Sequence, residues 1–188
     1  MALDMLTVGH SNRNLPEFLQ LLQAHAVGQI VDVRSLARSR HNPQFNIDTL
    51  PQALAAAGVA YRHLPGLGGL RRPRTDSPNA GWRNSGFRGF ADYMQTVEFD
   101  KNLQVLIELA RQGRIALMCA EALPWRCHRS LIADALALRT VRVEHIVGPG
   151  PRRAHVPTPW ARVDGTAITY PRVEAKRPRS AVKLDAPP

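Results

Sequence analysis

Apolar positions along this chain follow two periods. Short apolar or alternating runs at 5–9 (MLTVG), 29–33 (QIVDV), 59–63 (VAYRH), 115–119 (IALMC) and 141–146 (VRVEHI) predict strands. Between them, apolar residues recur at steps of three and four, the helical spacing. Phe18, Leu21 and Leu22 predict a helix over 16–25, with Asn14 as its cap and Pro16 in the first turn. Leu50 and Leu54 predict a second, from Asp48 to a stop at Gly58. Further helices are expected over 87–95, over 99–112 (Leu103, Leu106, Ile107 and Ala110 on one face) and over 127–138. Alternation of strand and helix predicts an α/β fold: a Rossmann-like domain over 1–150, with a mostly parallel five-stranded sheet flanked by helices, in the order 3-2-1-4-5. Asp164-Gly165 between apolar alternations predicts a β-hairpin in an extension over 151–171. Residues 172–188 read as a flexible basic tail.

That strand order sets strands 1 and 4 side by side, where α/β sheets bind ligands outside the carboxyl ends of their strands. The polar residues fall at those ends. His10 and Ser11 close strand 1, Asp32 and Arg34 strand 2, His63 strand 3, and Cys119 and Glu121 strand 4, while His145 lies near the end of strand 5. Ionisable or nucleophilic groups at five strand ends predict a pocket. His25 and His155 read as ordinary surface or loop residues.

Composition narrows the class. A chain of 188 residues, 44% apolar and 6% aromatic, is long enough for one core packed mainly by aliphatic side chains. No apolar run approaches the roughly 18–20 residues of a membrane span. Met1–Asp4 leads straight into a strand, without the pattern of a secretory signal, so the expected location is cytoplasmic. Two cysteines make no disulfide framework. The net charge is +10, and the only lysines are Lys101, Lys176 and Lys183 among 25 basic residues. GC-rich coding would explain much of the arginine excess, but net charge of this size draws a domain toward polyanions. Nucleic acid or a nucleotide is therefore the expected partner. The long irregular stretch over 64–86 leads into the next helix, and 62–89 holds six arginines and one acid, with Trp82 and Phe87 interleaved and Phe90 just beyond. It reads either as a grip on phosphates with a stacking surface for a base, or as a basic lid whose Phe87 and Phe90 anchor a helix in the core.

Six segments occur in a telling order: Thr7-Val8-Gly9-His10-Ser11, Asp32-Val33-Arg34, Pro43-Gln44-Phe45, Leu67-Gly68-Gly69, Phe90-Ala91-Asp92-Tyr93-Met94, and Cys119-Ala120-Glu121 with Pro124 and Cys127-His128-Arg129. Together, over about residues 5–150, they resemble the bacterial family called domain of unknown function 488. The resemblance implies the α/β fold and a pocket, with no established reaction.

Three chemistries suit these residues. Cys119 or Cys127 is a candidate nucleophilic thiol, because a helix start at Cys127 with Arg126 and Arg129 beside it favours a thiolate and cradles an anion. The arrangement resembles cysteine phosphatases and rhodaneses, but six residues rather than five separate Cys119 from Arg126. The alternative is that both thiols are buried packing residues. Second, Cys119, Cys127, His128 and His10 could ligate a metal, but without the close paired spacing of zinc sites; no metal or cofactor is expected. Third, Asp32 and Glu121 with His10 could activate water for hydrolysis of a glycosidic or phosphate bond, unless Asp32 pairs with Arg34 or Arg129 and Glu121 caps the following helix. The leading expectation is an enzyme on nucleic acid or a nucleotide. His10, Asp32, Cys119 and Glu121 would carry the chemistry. Ser11, Arg34, Cys127, His128 and Arg129, with Gly68, Gly69, Arg71, Arg72 and Tyr93, would bind the anion. The rivals are a thiol enzyme on a small anion and a non-catalytic nucleic-acid-binding module.

Overall fold

The computed structural model describes residues 3–172, so the expected tail lies, but for Arg172, outside the described residues. Five strands, β1 (Leu3–Gly9), β2 (Gln29–Asp32), β3 (Ala60–His63), β4 (Ile115–Cys119) and β5 (Val141–Ile146), run parallel. A two-residue strand, β6 (Arg153–Ala154), adds antiparallel to β5. The sheet order is β3-β2-β4-β1-β5-β6. This corrects the five-stranded 3-2-1-4-5 expectation in two ways. β6 is too short to carry a periodic signal, and β4 lies between β2 and β1. The reason for the second is in the sequence of β4: all five residues of IALMC are buried, and such a strand needs neighbours on both edges and cover on both faces. β1 and β4 are still adjacent, with Gly9 opposite Cys119.

The helices are α1 (Leu15–Ala24), α2 (Leu50–Ala56), α3 (Ser85–Tyr93), α4 (Val97–Gln112) and α5 (Arg129–Ala137). Three have side-chain caps. Asn14 Oδ1 accepts from Glu17 N at 2.8 Å, Asn84 Oδ1 from Gly86 N at 2.9 Å, and Thr96 Oγ1 from Phe99 N at 3.2 Å. The period-2 alternation of the strands splits the core. Leu6, Val8, Ile30, Ala116 and Met118 pack under α1 and α2; Met5, Val31, Ile115, Leu117 and Cys119 pack under α3, α4 and α5. Each fully buried Leu, Ile or Phe contributes roughly 2 kcal/mol of transfer free energy. β1 hands the chain to α1 on one face and β4 hands it to α5 on the other. A crevice therefore opens where their carboxyl ends meet.

The irregular stretch between β3 and α3 is tied down by Asp92. Its carboxylate accepts from Arg74 N at 2.8 Å, Ser77 Oγ at 2.6 Å and Asn79 Nδ2 at 2.8 Å. The hairpin, β7 (Arg162–Asp164) and β8 (Ala167–Thr169), turns at Gly165, whose φ of 57° suits glycine. Ile168 and Tyr170 join the core. Trp82, half-buried, packs against Phe87, Trp160 and Tyr170, with ring centroids 4.8, 5.3 and 5.6 Å away, and so ties the loop to the extension. Among the described residues no helix is long and apolar enough to cross a membrane.

Asp134 anchors this extension. Buried on α5, it accepts from His155 Nε2 and Tyr170 Oη at 2.8 Å, and from Thr158 N at 3.1 Å and Oγ1 at 2.7 Å. His155 is thus part of the frame, not the ordinary loop residue expected from sequence. Asp134→Ala leaves four donors, one of them fully buried and three half-buried, without this partner. It should destabilise the protein by about 3 kcal/mol in denaturant titration and change the fluorescence of Trp82 and Trp160. A loss under about 1 kcal/mol would show that the extension is held by apolar packing alone.

Candidate functional site

Close backbone approach shapes the crevice. A Cβ on Gly9 would lie 2.0 Å from the carbonyl oxygen of Glu121, and one on Gly69 would lie 2.5 Å from Nδ1 of His128. These glycines let β1 and the loop after β3 pack directly against the segment joining β4 to α5. Ser11 takes a left-handed φ of 52°, rare for a residue with a side chain, and donates its backbone N–H to Ala120 O at 2.9 Å. The result is a cleft of about 850 Å³ at the carboxyl ends of β1 and β4. That is a small-molecule volume. His10, Ser11, Arg34, Gly69, Cys119, Glu121, Cys127 and His128 line it, all expected from sequence. Arg126, expected beside the cysteine, and Phe87, expected in a stacking surface, also line it, as do Arg38 and Asn84, whose places there were not foreseen. Among the described residues, Glu121 is its single acidic lining residue, against three arginines.

Asp32 and Arg34 are occupied with each other. Arg34 donates to the Asp32 carboxylate from Nε at 2.9 Å and from NH2 at 2.6 Å, and Tyr61 Oη adds a donor at 2.8 Å. Asp32 is wholly buried and does not line the cleft, so it frames the site rather than acting as its base. Arg34 NH1 donates to His10 Nε2 at 3.2 Å, which places the His10 proton on Nδ1, donating to Ser11 O at 2.8 Å. Burial, with the Arg34 charge adding to it, lowers the His10 pKa to about 4. His10 is a neutral wall of the cleft, stacked on Phe45 at 4.3 Å.

The remaining expected residues lie outside the cleft lining. Arg71 lies 3.8 Å over the Tyr93 ring and donates to the carbonyls of Gly66 and Gly68; Tyr93 Oη also donates to Gly66 O. Gly68 meets Ser35, where a Cβ would lie 2.2 Å from its hydroxyl. Arg72 is exposed and outside the cleft lining. His63 Nε2 lies 2.8 Å from Arg34 O. His145 belongs to a buried chain behind the cleft, bonded to Thr7 Oγ1 at 2.8 Å and to His155 at 3.1 Å. That chain was missed, although an aspartate on the apolar stripe of α5 is its trace in the sequence.

The floor of the cleft carries the unusual electrostatics. Arg129 is completely buried. It donates to the carbonyls of Glu121 and Ala122, to Thr7 Oγ1 at 3.4 Å, and from Nε to Cys127 Sγ at 3.4 Å. No carboxylate among the described residues pairs with it. Cys127 Sγ also faces His128 Nδ1 at 3.6 Å, while His128 Nε2 is 3.2 Å from Val33 O and so carries its proton on that side. The Cys119 thiol donates to Cys127, which holds Cys127 well below the ordinary thiol range despite its burial; His128 and Arg129 add to this. Cys119 is pushed up by the same contact. Of the two thiols, Cys127 is therefore the one that gives up its proton more readily.

The sulfur atoms of both cysteines and a His128 nitrogen lie within 4.8 Å of one another, a donor set that suits a soft metal ion. The charges favour the metal-free arrangement. Two thiolates neutralise a divalent ion and leave Arg129 uncompensated, whereas one thiolate compensates Arg129 directly.

The profile described as "Domain of unknown function DUF488" matches residues 14–136. The chain belongs to the DUF488 family. Nothing among curated proteins matches it. No solved structure matches it either. The matched span contains the Cys119-to-Arg129 segment and most of the cleft, while β1 and its His10-Ser11 end precede it.

His10 and His145, each with a pKa lowered to about 4 chiefly by burial, make the DUF488 protein acid-sensitive. The unfolded chain takes up these protons near pH 6.5, so between about 4 and 6.5 the unfolded state binds more of them. Stability should be full above about pH 6.5 and fall as pH drops toward 4, by at most about 3 kcal/mol for each histidine. Denaturant titrations from pH 7 to 4 check this. A flat profile down to the carboxylate range would contradict the burial of these rings as neutral groups.

Proposed function

We propose that this protein is a thiol-dependent enzyme for a small anionic substrate, with Cys127 as its nucleophile. The observation that supports it most is the pairing of a fully buried guanidinium with a cysteine sulfur that lines a cleft. A protein that needed only a buried cation's counter-charge could use a carboxylate; a sulfur that also opens onto a cleft serves chemistry. An anionic substrate fits because the exposed guanidinium of Arg126 stands at the cleft beside Arg38, which shares its charge with Asp48 at 3.1 Å, while Arg34 is held by Asp32. His128, within reach of Cys127, accepts or returns the nucleophile's proton. Glu121 is the acidic group free to take a proton at the mouth. This reading moves the nucleophile from Cys119 to Cys127 and leaves Asp32 and His10 as framework.

A nucleotide is the second reading for the anion. Phe87 and the exposed Arg126 stand at the mouth, where a base and a phosphate would meet an aromatic face and a guanidinium.

Alkylation tests both. At neutral pH and low salt, iodoacetate should modify Cys127 about tenfold faster, relative to iodoacetamide, than it modifies free cysteine, because the cleft concentrates the anionic reagent. Cys127→Ser should abolish the fast phase. A Cys127 inert to both reagents, or one with no preference for the anion, would overturn the proposal. Shielding of Cys127 by a nucleoside monophosphate, lost at high salt, would make the anion a nucleotide; shielding by inorganic sulfate alone would exclude that second reading.

A further inference from the structure

Cys119 does more than sit beside the nucleophile. We infer that Cys119 and Cys127 form a dithiol that reduces small anionic substrates bearing a labile S–S or O–O bond, with Cys119 as the resolving thiol. This rests on the reading of Cys127 as nucleophile and goes beyond it by naming the substrate class and the second step.

The geometry carries the inference. Both sulfurs line one cleft and lie within 4.8 Å of each other. An adduct formed on Cys127 therefore already has a thiol beside it. The two residues are held differently. Cys119 ends a central strand, with its carbonyl accepting from His10 N at 3.0 Å. Cys127 follows a single 3-10 turn, Pro124–Arg126, and is held by Cys127 N donating to Pro124 O. Closure to S–S bonding distance can therefore be absorbed by the short connecting segment, without shearing the sheet.

The steps balance. The Cys127 thiolate attacks one sulfur of an R–S–S–R anion and expels R–S⁻, leaving a mixed disulfide. Cys119 gives up its proton to the site and attacks the Cys127 sulfur, forming the Cys119–Cys127 disulfide and expelling the second R–S⁻. With a peroxide, the first step gives the sulfenic acid and an alcohol or water, and the second expels water. Two electrons leave the protein, and an external thiol must return them. Oxidation removes the thiolate and leaves Arg129 buried without a counter-anion. The reduced form is thus the stabilised one, which makes the disulfide a ready oxidant of external thiols.

The test uses the full chain, reduced, with EDTA present, and tetrathionate or hydrogen peroxide as probe, followed by intact and peptide mass spectrometry. Wild type should lose two hydrogens and show a Cys119–Cys127 crosslink that excess reduced glutathione opens. Cys119→Ser should instead accumulate a stable thiosulfate adduct, or a sulfenic acid, on Cys127. A faster reaction with tetrathionate, relative to free cysteine, selects the S–S class; a faster reaction with peroxide selects O–O. A persistent single adduct on Cys127 in wild type would overturn the dithiol while leaving Cys127 as nucleophile. No adduct on Cys127 in any variant would overturn the earlier reading as well. Circular dichroism of Cys119→Ser checks that it is folded.

Discussion

A buried positive charge without a carboxylate governs this structure. Arg129 is fully buried at the first turn of α5, and removing a guanidinium from water costs several kcal/mol unless something returns it. Here the return comes from two loop carbonyls, a threonine hydroxyl and the sulfur of Cys127. The carbonyls are those of Glu121 and Ala122, so Arg129 also fixes the path of the segment that leaves β4. Gly9 lets that segment lie against the end of β1. The path of the cleft wall thus follows from this side chain, while the thiol at its floor is lowered first by Cys119, with His128 and Arg129 adding to it.

Two buried networks radiate from this point. Toward the cleft, Asp32, Arg34 and His10 form a closed set in which every polar atom facing a neighbour is matched, and the histidine is held neutral. Away from it, Thr7, His145, His155 and Asp134 connect the sheet to the extension that carries Tyr170. The first network makes a rigid wall and the second a rigid back. Neither offers a group free to exchange protons with a ligand. That freedom is left to Cys127, His128 and Glu121, which line the cleft.

Much of the fold was legible because its strands are short and almost uniformly apolar, with helical spacing between them. The five parallel strands and five helices fall close to where periodicity puts them. Strand order was less legible, since periodicity says nothing about which strands pair; only the uniform burial of β4 marks it as central. The candidate site was legible as a place but not as a set of roles. Asp32 and Arg34 sit two residues apart at a strand end, a spacing that puts both side chains on one face, and an acid and a base so placed satisfy each other. The sequence left that pairing open as the alternative to a catalytic Asp32, and the structure shows the pair formed. Arg71 and Tyr93 are far apart in sequence, and only the folded chain reveals that they clasp the Gly66–Gly68 backbone. Cys119 and Cys127 could be named from sequence, but which sulfur bears the charge depends on distances to Arg129 and His128.

The central claim is that the Cys127 sulfur is the counter-anion of Arg129 in the native protein. Ultraviolet absorbance of the thiolate, followed against pH for the native protein, for Cys127→Ser and for the chain in denaturant, tests it most directly. One thiolate per native chain should persist well below the ordinary thiol range, and should be absent there in Cys127→Ser and after unfolding. Thiolate absorbance that develops only in the ordinary thiol range would mean that Arg129 is buried beside a neutral thiol, and the account of the site built on that pair would fail.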